Sequence, residues 1–132
     1  MNSRKEARHA IAGLLSAGIA EFEAVYPHSI LDPGGLSPIA TVESDGTAPS
    51  TSFSPTSRRQ SLIISLLWVW TDATEDEVDD LSDAVLDLID ENSRMEGVYD
   101  ALLQDPAFSE SGYTDPIEGI VYRVERIRVT VE

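Results

Sequence analysis

The order of its segments predicts an α+β fold for this chain, with a mainly antiparallel sheet and helices packed on one face. Three observations carry that expectation. Apolar residues recur at helical spacing from Ala7 to Phe22 and from Val78 to Ile89, Leu62 to Trp70 is a continuous apolar run, and the C-terminal segment alternates. Taken in order these segments give α-β-β-α-β in a single domain spanning 1–132, a length that buries one core of ordinary size.

Ala7, Ile11, Leu14, Leu15, Ile19 and Phe22 form the stripe of the first helix. Arg4, Lys5 and Arg8 ahead of the apolar stretch Ala10–Ala20 have the outline of a secretory signal, with small residues at Gly18 and Ala20. Glu6, His9 and the helical stripe favour a core-facing helix instead. The pattern fades at Val25-Tyr26-Pro27, and Asp32-Pro33-Gly34-Gly35 reads as a turn, because proline fixes φ and glycine accepts positive φ. Ile39–Val42 reads as the first strand.

Ser44–Gln60 is rich in Ser, Thr, Pro and Gly, and carries Phe53, Arg58 and Arg59. It is too long for a tight hairpin, so the expectation is a flexible contact arm anchored by its aromatic residue. Leu62–Trp70 is apolar on both alternating faces apart from Ser65, which marks a central strand covered on both sides. Helices stacked on one face leave the other to a loop, another subunit or water, so the pattern also points to oligomerisation.

Thr74 with Glu77 three residues on matches a capping box, and Glu75 and Asp76 sit where the helix dipole favours negative charge. Val78, Leu81, Val85, Leu88 and Ile89 then share one face, with Asp76, Asp79, Asp80, Asp83, Asp87 and Asp90 opposite. Asn92-Ser93 marks a break, Met95–Leu103 reads as a shorter helix, and Asp105–Asp115 as a loop. In the last strand Ile120, Tyr122 and Val124 share one parity while Ile127, Val129 and Val131 share the other, which predicts a bulge near Glu125-Arg126. Arg123, Arg126 and Arg128 are the densest basic cluster, and pairing with the acidic helix of a neighbouring copy is the expectation for them.

The net charge is −15, and Lys5 is the one lysine among nine basic residues. So little positive charge disfavours nucleic-acid binding through a basic surface. An acidic, lysine-poor composition also suits a salt-loving host, where concentrated ions screen self-repulsion. The absence of cysteine excludes disulfides and thiolate chemistry, and no apolar run of the length needed to span a bilayer occurs. His9 and His28 are the only histidines, and no nucleophile elbow, Walker loop or dinucleotide fingerprint is present, so no enzyme, cofactor or metal site is expected. The aspartate row of the second helix lies on a convex face, and the ligands of a Ca²⁺ ion must converge.

The helix Arg4–Phe22, then Val25-Tyr26, Leu36-Ser37-Pro38-Ile39-Ala40-Thr41-Val42, the polar arm, the strand before Thr71-Asp72, the helix Glu75–Ile89 and the closing strand together resemble the tail-terminator, or tail-completion, proteins of long-tailed viruses. The resemblance rests on element order over most of the chain and has no invariant motif. It implies a non-catalytic virion protein, assembled in the host cytoplasm, that forms a hexameric ring on the head-proximal end of the tail tube. Such a ring ends tube growth, presents a surface to a head-completion or neck protein, and lets DNA pass without gripping it. Phe53, Arg58, Arg59, Arg123, Arg126 and Arg128 are then candidate contacts with the tube or a neighbouring subunit. The residues alone leave open another neck protein, such as a head-closure or adaptor component, and a small acidic protein-binding module.

Overall fold

A computed structural model describes residues 4–49, 58–71, 74–92, 94–95, 99–103 and 109–131. Its elements are α1 (Arg4–Gly18), β1 (Ala24–Tyr26), β2 (Ile39–Pro49), β3 (Arg58–Val69), α2 (Glu75–Glu91), β4 (Arg94–Met95), β5 (Tyr99–Leu103), β6 (Ser109–Tyr113) and β7 (Tyr122–Val131). The class is α+β, as the sequence predicts. Strands follow the order β1-β2-β3-β7-β5-β4, β6 also pairs with β7, and every pairing is antiparallel except β1 with β2.

β3 is the centre of this sheet. One edge pairs with β2 from Ile39↔Leu67 to Pro49↔Arg58, and the other with β7 from Val69↔Tyr122 to Gln60↔Val131. Cross-strand partners share a face, so Ala40, Val42, Leu62, Ile64, Leu66, Ile127, Val129 and Val131 point together. Ala7, Ile11 and Leu15 of α1 and Val78, Leu81, Val85 and Ile89 of α2 close over them as one core. Both helices therefore lie on one face of the sheet. α1 ends at Gly18, short of the predicted Phe22, yet Ile19 is buried and Phe22 packs against the core.

The opposite face is covered at one end. The segment after β1 crosses to it, with Gly34 and Gly35 at positive φ in the predicted turn and the Asp32 carboxylate accepting from Gly34 N. Gly35 N donates to the Tyr122 hydroxyl at 2.9 Å, and Tyr122 is fully buried. On the same face Val69, opposite Tyr122, Leu67, opposite Val124, and Ile63, beyond the buried Ser65, are half-buried.

Four expectations are corrected. The bulge at Glu125-Arg126 does not occur, because β7 runs in unbroken register against β3. The change of parity has another cause: Tyr122 and Val124 are buried on the outer face, whereas Ile127, Val129 and Val131 are buried under the helices. One straight strand is covered first on one side and then on the other. The register shift lies instead in β2 at Ser44/Gly46, where Gly46 takes φ 125°.

The second correction concerns Met95–Leu103, whose described part forms β4 and β5 rather than a helix. A short apolar run fits either period, and the open edge of β7 decides it by accepting Ala101–Leu103 opposite Val131–Val129. Third, the loop expected at Asp105–Asp115 contains β6, which pairs Ser109–Tyr113 with Ile127–Arg123. Fourth, the arm is shorter than Ser44–Gln60, because β2 extends to Pro49 and β3 begins at Arg58. β1 is an addition, a short strand parallel to β2 where the sequence pattern fades.

Gly18 of α1 faces α2, where a Cβ would stand 2.8 Å from both Leu88 methyl carbons. Gly18→Ala is expected to change the melting temperature little, because the atoms it meets are the far end of the half-buried Leu88 side chain, which can turn aside. Leu88→Ala/Gly18→Ala should melt above Leu88→Ala alone, because alanine is favoured over glycine in a helix by about 0.5–1 kcal/mol once the clash is gone. A thermal double-mutant cycle checks this coupling.

Candidate interaction surface

Two parts of the sheet bear on the expected contacts: the base of the β2–β3 arm and a corner beside the first turn of α2. At the arm, β2 and β3 remain paired beyond Gln60, which lies opposite the last described residue of β7. A two-stranded ribbon therefore runs past the end of β7, and its base is fastened from below. Arg4 Nε donates to Thr47 Oγ1 at 2.8 Å, and that hydroxyl donates to Gln60 Oε1 at 2.8 Å, with Gln60 itself buried. The bulge sets Asp45 outside the ladder, where its carboxylate accepts from Arg128 Nη1 at 2.9 Å. Both partners are more than a third exposed, so this pair contributes little to stability.

At the corner, Thr74 caps α2 by accepting from Glu77 N at 3.2 Å, which fixes Glu75 in the first turn. Arg123 lies beneath it. One Nη donates to Glu75 at 2.6 Å and the other to Glu125 at 3.0 Å, while Ser111 donates to the same Glu125 oxygen at 2.6 Å. Glu125 is a buried carboxylate and the Arg123 side chain is only 11% exposed. The hydrogen bond it donates to Glu75 holds the guanidinium well above its ordinary pKa against the opposing effect of burial. Arg123 Nε, also buried, has no acceptor among the described residues.

The guanidinium carbon sits 5.4 Å from the centre of the Tyr113 ring. Tyr113 is 64% exposed and Trp70, at the end of β3, is 54% exposed. With Thr71 and Arg123 they line a depression of about 400 Å³. Tryptophan, tyrosine and arginine are the residue types that carry most binding energy at protein interfaces. This corner is the signal that sequence pattern misses, since Trp70 reads as the end of a buried strand and Tyr113 falls in a presumed loop.

The predicted contact residues are thus distributed. Phe53 lies outside the described residues. Arg58 and Arg59 are in the ribbon, with backbones opposite Pro49 and Ala48. Arg123 faces the helices, whereas Arg126 and Arg128 face outward, with Arg126 exposed. The basic cluster of the sequence is therefore split between two faces, and two of its members have acidic partners within their own chain. The aspartates of α2 are exposed, and among the described residues no three acidic or histidine side chains group as a metal site would require. No described helix is long and apolar enough to cross a membrane.

No protein-family profile matches the chain, and no curated protein matches it in sequence.

Arg123→Met is expected to destabilise the fold by about 3 kcal/mol, because Glu125 is left buried without a counter-charge and with the Ser111 hydroxyl as its one donor among the described residues. Replacing both residues, Arg123→Met with Glu125→Leu, should recover most of the loss. Denaturant titration of the two single variants and the double variant measures the coupling.

Proposed function

We propose that this protein is a structural component of a long-tailed virus particle, a tail terminator that caps the head-proximal end of the tail tube as a ring, most simply a hexamer. The observation that carries the reading is the one-sided construction of the domain. Both helices cover one face of the sheet, while the other keeps a half-buried apolar strip of Ile63, Leu67 and Val69. Water against that strip is unfavourable by roughly 25 cal/mol per Å² of apolar area, and a neighbouring subunit removes it.

The ribbon of β2 and β3 supports the same reading, as a projection whose base is tied to α1 through Arg4, Thr47 and Gln60. In the ring it reaches the tube protein or the next subunit, and the aromatic corner at Trp70 and Tyr113 meets a head-completion or neck protein. An acidic ring lets DNA pass without holding it, since like charges repel. The protein has no catalytic role in this account, and its place is the virion, after assembly in the host cytoplasm. The strong negative charge suits assembly in high salt, where repulsion between copies is screened. Another neck protein would share the ring and differ in its neighbours, so position in the particle separates the two.

Light-scattering mass in dilute and in molar salt, with electron-microscope averaging of the same fractions, tests the proposal. Six-fold rings that salt promotes are the expected result; a monomer at every salt that also fails to enter particles overturns it. Replacing residues 50–57 by a two-residue Asn-Gly turn closes the hairpin between Pro49 and Arg58. That variant should melt like the parent yet reduce the yield of joined particles in an assembly assay. An unchanged yield removes the arm from the contact.

A further inference from the structure

Beside the aromatic corner, on the same helical side of the domain and with Trp68 opposite Arg123 in the sheet, lies a groove of about 500 Å³. It lies between the first half of α2 and the two segments that follow α1 and precede β2. Trp68, Leu81 and Pro38 supply its apolar lining, with Ser37 and Ala84 beside them, and Glu21, Glu77 and Asp80 supply its polar one. Trp68 and Leu81 are buried, whereas the three carboxylate residues are exposed and form the rim. None of the described lining residues is basic.

The wall opposite α2 is held in place before anything binds. Glu23 accepts from Ser37 N at 2.8 Å, and Ser37 Oγ accepts from Val69 N at 3.0 Å. The second bond attaches the wall to the central strand, so the groove does not have to be organised at the moment of binding. Its volume is within the range of sites that enclose a ligand, and is more than one side chain fills.

From this arrangement we infer that the groove is a docking site for a basic peptide segment of a partner protein, one that presents arginine next to an aliphatic residue. The chemistry matches at each level. The aliphatic residue and the methylene stem of arginine lie against Pro38 and Ala84, over the small parts of Trp68 and Leu81 that reach the surface. The planar guanidinium suits a carboxylate fork, and the rim of three exposed acids provides the complementary charge. A neutral apolar ligand would leave those acids without a partner, and a phosphate or nucleic acid would be repelled by them. The site stands independently of whether the protein caps a tail tube.

The test uses the full chain and a fluorescent peptide of alternating leucine and arginine, with citrulline in place of arginine as the control, followed by anisotropy in dilute buffer. The arginine peptide should bind saturably and the citrulline peptide far more weakly. Glu77→Gln/Asp80→Asn should weaken binding about tenfold, and Asp87→Asn/Asp90→Asn, which removes the same charge from the same helix outside the groove, should change it by less than about twofold. Ala84→Phe, a filling change at an exposed position, should weaken it without changing charge. Equal losses for the two carboxylate pairs would assign the binding to the general field of the protein and overturn the site, as would equal binding of citrulline or no saturation. Self-association that disappears in Glu77→Gln/Asp80→Asn would give the groove to a second copy and overturn the partner proposed here. Melting curves of each variant confirm that the comparison is between folded proteins.

Discussion

The structure depends on the requirement that β3 be covered on both faces and paired along both edges. Its sequence from Leu62 to Trp70 has no polar side for water. β2 and β7 therefore occupy its edges over most of its length, and the helices close over Leu62, Ile64 and Leu66. Everything placed farther out follows from these neighbours. β1 adds to β2, β5 and β6 divide the outer edge of β7 between them, and the turn around Gly35 reaches Tyr122 to cover the start of β7. Ile63, Leu67 and Val69 stay half-buried on the outer face, and the reading of the protein as a subunit of an assembly begins there.

Charge is the second constraint. A chain at −15 has to keep its carboxylates in water or give them partners. α2 does both: its aspartates form an exposed face, its first turn uses acidic residues where the dipole favours them, and Glu75 joins the helix to the sheet through Arg123. Arg123 also compensates Glu125, the buried carboxylate of the same strand. The scarce basic residues of the described chain thus fasten elements together. Arg4 ties α1 to the arm, Arg8 donates to the Pro27 carbonyl, and Arg128 closes the bulge of β2.

The contact features also fall into distinct places. The ribbon and the aromatic corner lie at opposite ends of β3, near Arg58 and Trp70, so one subunit can meet two neighbours along its central strand. The acidic groove lies beside the corner on the helical side, with chemistry of its own. A terminator ring between a tube and a neck would have use for separated surfaces of this kind, and a monomeric binding module would not need all three.

Local signals in the sequence determined both helices, the cap at Thr74, the turn at Gly34-Gly35, the central apolar strand β3 and hence the α+β class. Each is a matter of periodicity or of backbone chemistry within a few residues. The sequence also showed that the last strand changes the parity of its buried residues, but not why. Only the tertiary structure decided that, because the covers of Tyr122 and of Val131 come from distant segments on opposite faces. The strands β5 and β6 were settled the same way, by the unpaired edge of β7, and the meeting of Arg123 with Glu75 by the docking of α2, 48 positions away in sequence. Pairing partners and shared faces are long-range facts, and a pattern with a period of two or of 3.6 residues has no access to them.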